Sequence, residues 1–267
     1  GAIGCFEEAC RNVICTGANP VGMVDHLQFG NPEDPEVFWS FMESIEGLAD
    51  FAKFLRIPCV GGKVSFYNET TIGPIKPTPL IGVLGIIDKT LLTTIPPSFG
   101  DYLLIIGKTK DELGGSEYYE YIHKFVGGIC PTVNFKDSKI NMHTVLSLIK
   151  NKLVKSVHDC SKGGAAIAIS ELSIFGNIGC DINIEKLPCE NDFSIDKLLF
   201  SESHSRYLLV IDKKNINQVK QFLLKKKSTF AVLGKFSGDQ IQFKYKSKYL
   251  VKFTVDIAQK KYFNALE

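Results

Sequence analysis

Asp25-His26-Leu27-Gln28-Phe29-Gly30-Asn31-Pro32, followed by Gly61-Gly62-Lys63-Val64-Ser65-Phe66-Tyr67-Asn68-Glu69, is the stretch whose reading decides the fold. Two polar, glycine-containing segments flank one strongly amphipathic helix. In an α/β protein this arrangement brings backbone N–H groups, a carboxylate and a hydroxyl to one sheet edge, where phosphorylated ligands bind. The helix between them is the clearest in the chain. Asp34 is placed to cap it, Pro35 fits its first turn, and Phe38, Phe41, Met42, Ile45, Leu48, Ala49, Ala52 and Leu55 form a stripe expected to be buried. Ile57-Pro58 ends it. A short strand near 21–25 is expected before the helix, ending at Asp25, and strands at 59–60, 64–67 and 80–87 after it, with Gly61-Gly62 as a turn.

Towards the amino terminus, Phe6, Ala9, Cys10, Val13 and Ile14 share one helical face, Glu7 is spaced to pair with Arg11, and Gly17 stops the helix. Towards the carboxyl terminus, Ile95-Pro96-Pro97-Ser98-Phe99-Gly100-Asp101 interrupts the pattern and marks the best domain boundary. Beyond it strands are expected at 102–106, 154–158, 180–184, 206–211 and 229–233. Helices are expected near 116–125, 142–153, 164–175 and 214–226, and a hairpin near 240–253. The fold class is therefore α/β (α+β), in two domains at 1–97 and 98–267.

Composition excludes several function classes. The 267 residues are 45% hydrophobic and 22% charged with a net charge of +2, which is ordinary for a globular protein and carries no signature of nucleic-acid or membrane binding. No apolar run reaches the roughly 18 residues that a membrane helix needs. The lysines between Lys213 and Lys261 alternate with Phe, Leu, Tyr and Val, as on solvated outer faces. The chain opens without an initiator Met or a signal-peptide pattern, as a cut chain would. Of eight cysteines, Cys5, Cys10 and Cys15 fan around a helix axis and cannot converge on a metal. Cys59, Cys130, Cys160 and Cys180 sit beside apolar or glycine positions, as small core residues do. Without any C-x-x-C, these read as reduced thiols of a cytosolic protein.

The polar segments offer chemistry of limited kinds. Gly61-Gly62-Lys63-Val64-Ser65 is no P-loop, because Ile57 and Val64 stand where that motif needs Gly and Ser or Thr. It is either a plain glycine connection or a close backbone approach at Gly62 with a hydroxyl at Ser65. His158-Asp159-Cys160-Ser161-Lys162-Gly163-Gly164 joins a strand to an apolar helix that Ser161 is placed to cap, which makes either an anion site or a capping loop without a ligand. Ser201-Glu202-Ser203-His204-Ser205-Arg206 is a hydroxyl-rich turn leading into a strand, and Ser116 is a candidate N-cap. No zinc spacing and no G-x-S-x-G occurs.

Taken together, Glu8-Ala9-Cys10-Arg11-Asn12, Thr16-Gly17-Ala18, 25–32, Pro35-Glu36-Val37, 62–69, Pro77-Thr78-Pro79, 112–118, 158–164 and 200–206 resemble, in collinear order, phosphoribosylformylglycinamidine synthase. The resemblance is to the C-terminal half of the large synthetase subunit, within the aminoimidazole ribonucleotide synthetase superfamily. It implies a two-domain module whose N-terminal domain lacks its opening strands and whose sheet pairs with that of another module. It also implies an ATP-dependent carbon–nitrogen ligase of de novo purine synthesis. ATP activates the amide oxygen of formylglycinamide ribonucleotide, and glutamine-derived ammonia then displaces phosphate. An amide is a poor electrophile until its oxygen becomes a phosphate leaving group, so such a site must position two phosphorylated ligands.

By position, the resemblance implies ATP contacts at Asp25, Gly62 and Lys63 and a substrate contact at Ser65. Lys63 stands where the family commonly has an Asn ligand for Mg²⁺; an ammonium repels a metal, so Lys63 is expected to touch phosphate instead. The family's catalytic histidine and most Mg²⁺ ligands belong to the other half. His158, Asp159, Ser161, Gly163, Gly164, Glu202 and Ser203 would line a second, pseudo-symmetric nucleotide site, in which Lys162 replaces a usual Asp. The implied partners are the N-terminal half of the synthetase, a glutaminase subunit or domain, a small bridging subunit and, for the isolated half, a second copy of itself, with no nucleic acid and no membrane. The half alone is expected to lack turnover. The alternatives are another ATP-dependent synthetase of the superfamily and a nucleotide-binding structural half-module.

Overall fold

The computed structural model of the chain describes residues 1–88, 93 and 95–265. Helix α1 (Ala2–Cys15) buries Phe6, Cys10 and Ile14, and Gly17 takes the left-handed turn that closes it, at φ 93°. Strand β1 (Asn19–Gln28) is longer than the expected segment, so Asp25 lies inside a strand and does not end one. Strand β2 (Cys59–Ser65) runs unbroken through Gly61-Gly62-Lys63. The expected glycine turn does not form, because parallel pairing with β1 supplies a ladder partner for that backbone, Val24 opposite Gly61 and Asp25 opposite Gly62.

Helix α2 (Pro35–Leu55) starts as expected: Asp34 accepts a hydrogen bond from the Glu36 N–H at 2.8 Å and Pro35 fills the first turn. Its stripe is only partly covered. Leu48 and Phe51 are buried, whereas Phe38, Met42 and Ile45 remain exposed, contrary to the sequence expectation. The reason is a shortage of cover. The first sheet, completed by β5 (Thr78–Ile86) in the order β2-β1-β5, has three strands, too few to span all of the stripe. Its inner face, through Met23 and Leu27, joins α1 and α2 in one apolar cluster. Its outer face carries Val24, Val60, Leu80, Leu84 and Ile86, all exposed. A two-residue ladder of β3 (Glu69–Thr70) and β4 (Gly73–Pro74) stands beside it.

The second sheet has seven strands: β6 (Tyr102–Ile106), β7 (Ser156–Asp159), β8 (Cys180–Asn183), β9 (Tyr207–Ile211), β10 (Phe230–Phe236), β11 (Gln240–Tyr245) and β12 (Lys248–Thr254). Their order is β12-β11-β8-β10-β6-β9-β7. Alternate residues of β6 and β9 face two different cores. Leu104, Ile106, Leu209 and Ile211 pack with α1, α2, α4 (Phe135–Lys150) and α7 (Ile216–Lys225). Leu103, Ile105, Leu208 and Val210 pack with α5 (Gly164–Gly176), α6 (Ile195–Phe200) and α8 (Val255–Phe263). Covered on both faces, these two strands read as unbroken apolar runs.

Helix α3 (Glu117–His123) is capped by Ser116, as expected. Helix α4 begins at Phe135, well before the expected 142, because Asn134 caps it by accepting from the Asp137 N–H at 3.0 Å. Four elements were not foreseen: α6, α8, the β3–β4 ladder and a 3-10 turn at Ile184–Lys186. All eight cysteines are free thiols, but Cys59 and Cys130 are exposed and are not the small core residues that their neighbours implied. Both lie at margins where no second layer covers them. Among the described residues no helix is long and apolar enough to cross a membrane.

Candidate functional site

Asp25 and Gly62 meet across the β1–β2 ladder. A Cβ at position 62 would meet Asp25 Oδ1, so the glycine lets the carboxylate lie directly over the neighbouring strand, and a larger residue would turn it away. The Cys59 thiol donates to Asp25 Oδ2 at 3.5 Å, and no cation pairs with this carboxylate among the described residues. Strand pleating then splits the expected set. Asp25 and Gly62 share the inner face, while His26 and its ladder partner Lys63 project from the outer face, as do Gln28 and its partner Ser65 at the strand ends. Lys63 is exposed and takes part in no ion pair among the described residues.

The strand ends open into a tight loop. The side-chain amide of Asn68 donates to the Phe29 carbonyl at 2.9 Å and to the Ser65 carbonyl at 3.0 Å. Glu69 Oε1 accepts from the Asn31 N–H at 2.7 Å, and a Cβ at Gly30 would stand 2.9 Å from that same oxygen. Asn31, Asn68 and Glu69 thus fix how the two polar segments face each other, which brings Asp25, Gly62 and Ser65 to one region of the first sheet.

The second cluster is built differently. Asp159 accepts from the Ser161 hydroxyl in a short hydrogen bond, lies 3.9 Å from Arg11 Nη2, and is reached by the Asn12 amide at 3.1 and 3.2 Å when that amide is turned to donate. Arg11 also donates to Ser161 Oγ at 3.2 Å. Ser161 does not cap α5; Gly163, at φ 72°, occupies the cap and has no side chain to give. His158 lies 3.3 Å from Glu171 through Nε2, and burial raises the Glu171 carboxyl above its ordinary value.

Behind this cluster sits an ion pair that sequence spacing foresaw but whose burial it could not foresee. Glu7 and Arg11 are fully enclosed and 2.7 Å apart. Glu7 Oε1 accepts from Ser138 Oγ and Ser205 Oγ, each at 3.1 Å, and its Oε2 lies 3.3 Å from His204 Nδ1. Burial alone would push the Glu7 carboxyl up; the Arg11 charge, with His204 and Ser138, more than reverses this and leaves it below the ordinary value. A solitary E-x-x-x-R spacing gives no sign that α4 and the loop 201–206 will close over it.

The Gly163 N–H at 2.8 Å and the Glu117 N–H at 3.0 Å both donate to Glu202 Oε1. A carboxylate of the chain itself thus fills the anion seat expected at the glycine pair. Desolvation raises the Glu202 carboxyl above its ordinary value, although those two N–H groups pull it down. Ser203 Oγ accepts from the Lys110 N–H at 3.0 Å, and the buried Arg206 ties Ser201, Ser203 and Thr109 together, so this turn is pinned from within. Among the described residues no three His, Cys, Asp or Glu side chains converge as a metal cage.

Comparison with known proteins gives these sites a context. Residues 1–87 match the family "AIR synthase related protein, N-terminal domain", and residues 99–246 match the corresponding C-terminal domain. The chain is 44% identical over 252 residues to phosphoribosylformylglycinamidine synthase subunit PurL of Thermococcus sibiricus, and 40% identical over 275 residues to that of Methanocaldococcus jannaschii. These alignments cover 94% and 99% of this chain but only 35% and 37% of the relatives, so the chain spans about a third of their length. Among solved structures, T. maritima PurL complexed with FGAR superposes with a TM-score of 0.78 at 20% identity, covering 97% of this chain and 44% of that one. The E. coli hydrogenase maturation protein HypE gives 0.71 at 16% identity, covering 95% and 78%. Both likenesses bear on the fold alone.

Proposed function

This chain belongs to the AIR synthase related family, and from that premise we propose that it is one half-module of an ATP-dependent phosphoribosylformylglycinamidine synthase. In this reading it serves the conversion of formylglycinamide ribonucleotide to its amidine with glutamine-derived ammonia. The observation that carries the reading is the Asp25–Gly62 pair: a carboxylate with no cationic partner among the described residues, lying over a glycine, beside the Asn31–Glu69 loop. Relatives named for this enzyme align over nearly the whole chain.

Asp25 orients the nucleotide, and the bare backbone at Gly62 admits it closely. β2 is the edge strand of its sheet, so Lys63 on its other face meets phosphate around that edge as a fixed positive charge, and Ser65 at the strand end donates its hydroxyl to the ribonucleotide. The chemistry needs the amide and the γ-phosphoryl group held in contact and water kept out; this half supplies positioning, and the other half supplies the reacting side chains. Mg²⁺ would draw on Asp25 and the phosphates at most. One carboxylate and no cage do not make a dedicated site, so no step here is assigned to the metal.

The bare outer face of the first sheet suits pairing with the N-terminal half of the synthetase or, for the isolated chain, with a second copy. A glutaminase subunit or domain and a small bridging subunit complete the proposed assembly, and a structure titled PurLQS from T. maritima is among the folds that match. We divide the chain at 97/98 and place it in the cytoplasm, where eight free thiols persist. The half alone lacks turnover. Asp25→Asn, tested in the synthetase assembled with its other half, is expected to raise the KM for ATP about 10- to 100-fold, the value of a hydrogen bond to a charged group. An unchanged KM for ATP overturns the assignment.

A further inference from the structure

On the same face of the second sheet as the Glu7–Arg11 pair, α4 forms one wall of a groove of about 420 Å³ lined by Phe54, Lys136, Lys139, Ile140, His143, Thr144, Ser147 and Lys226. The floor is apolar, from Phe54, Ile140 and Thr144. The rim carries three lysines and a histidine. None of Lys136, Lys139, His143 or Lys226 takes part in an ion pair among the described residues, as is true of most lysines of the chain; what sets these apart is that three of them edge one groove. An apolar trough edged by uncompensated positive charge is complementary to an anion that also has an apolar body.

The lining selects among such anions. Among the described residues no glycine lines the groove, and its basic groups are the ends of flexible side chains, a poor cradle for a phosphate. Phe54 is partly covered: Lys139 Nζ stands 5.0 Å above its ring and donates to its carbonyl at 3.2 Å, and the Phe135 ring lies tilted against it at 5.4 Å, which disfavours stacking of a base. The groups contributed by α4 recur three or four residues apart from Lys136 to Ser147, one straight stripe about 16 Å long at 1.5 Å per residue. A stripe of that pitch matches another helix laid alongside it.

We propose that this groove docks an acidic amphipathic helix of a second polypeptide, its carboxylates meeting Lys136, Lys139, His143 and Lys226 and its apolar residues meeting Phe54 and Ile140. The surface is independent of the Asp25–Gly62 region and of the reading given to it.

The test uses the 267-residue chain and a fluorescent helical peptide with glutamates repeating every three or four residues beside a leucine stripe. A twin peptide with Gln at each Glu position, ATP and single-stranded RNA serve as competitors. Binding of the Glu peptide is expected to be at least tenfold tighter than that of its Gln twin. It is expected to weaken steeply with salt and to vanish in the Lys136→Glu, Lys139→Glu, Lys226→Glu triple variant. The triple variant should keep its circular dichroism spectrum and unfolding midpoint, and a Lys248→Glu, Lys252→Glu control on β12 should bind as the parent does. Equal binding of the Gln peptide, full binding by the triple variant, or no binding of the Glu peptide overturns the proposal. Displacement of the peptide by ATP or RNA with the same lysine dependence also overturns it, by assigning the groove to phosphates.

Discussion

Asp25 and Asp159 are both strand carboxylates next to glycine-bearing segments, yet their surroundings oppose each other. Asp25 lies over Gly62 on the inner face of the first sheet, and a thiol is its only side-chain hydrogen-bond partner among the described residues. Asp159 is wrapped by Ser161, Arg11 and Asn12 on a sheet covered on both faces, and the nearby anion seat already holds Glu202. The same kind of residue is therefore left available in one place and satisfied in the other. Open valence points to a ligand; closed valence points to scaffold. In the second cluster, expected as a nucleotide site, Asp159 and the Gly163 N–H already have partners within the chain.

The comparison breaks most easily at the Glu7–Arg11 pair behind the second cluster. Arg11→Met strands a buried Glu7 charge and is expected to cost about 3–5 kcal/mol in urea unfolding, most of it recovered when Glu7→Gln is added. The sign with pH should also invert. In the parent, Glu7 sits below its ordinary value, so its contribution is present above roughly pH 4.3 and is lost as the pH falls through the lowered value. Without Arg11, burial would raise Glu7, and the contribution would be lost as the pH rises. A loss below about 1 kcal/mol would show that the pair is no brace.

The open sheet offers the next largest effect. Leu84→Lys places a charge on the bare outer face, where Leu84 is 54% exposed and makes no core contact to lose. Unfolding should be nearly unchanged, while pairing with the other half-module, followed by light scattering, should weaken about 10- to 100-fold. Unaltered pairing would remove this face from the interface.

The smallest effect sharpens the reading of Glu202. Its carboxyl lies above the ordinary value, so its contribution is full below about pH 4.3 and is lost as the pH rises through the raised value. Glu202→Gln should flatten the dependence of the urea midpoint on pH over that interval and otherwise change little. An undiminished slope would mean that the carboxylate does not fill the seat.

Local signals were legible to the residue. Asp34 and Pro35 start α2, Ser116 caps α3, and the apolar runs of β6 and β9 stand where their composition puts them. Errors arose wherever a second strand or layer decided the outcome. Gly61-Gly62 reads as a turn until β1 pairs with it; Cys59 reads as core until no layer covers it; Ser161 reads as a cap until Asp159 takes its hydroxyl. The start of α4 was missed although Asn134 and Asp137 carry a capping signal, because the apolar periodicity strengthens only later in the helix.

The sequence by itself determined most of the longer elements, their order and the family, because caps, breakers and periodicity act within a few residues and are written in neighbouring side chains. Only the tertiary structure decided which polar groups are spent and which are free. Glu202 reaches Gly163 and Glu117 across 39 and 85 residues of chain, and Glu7 reaches Ser205 across 198. No local pattern encodes that a distant carboxylate will arrive first, since hydrogen bonding and burial are settled by packing, not by adjacency.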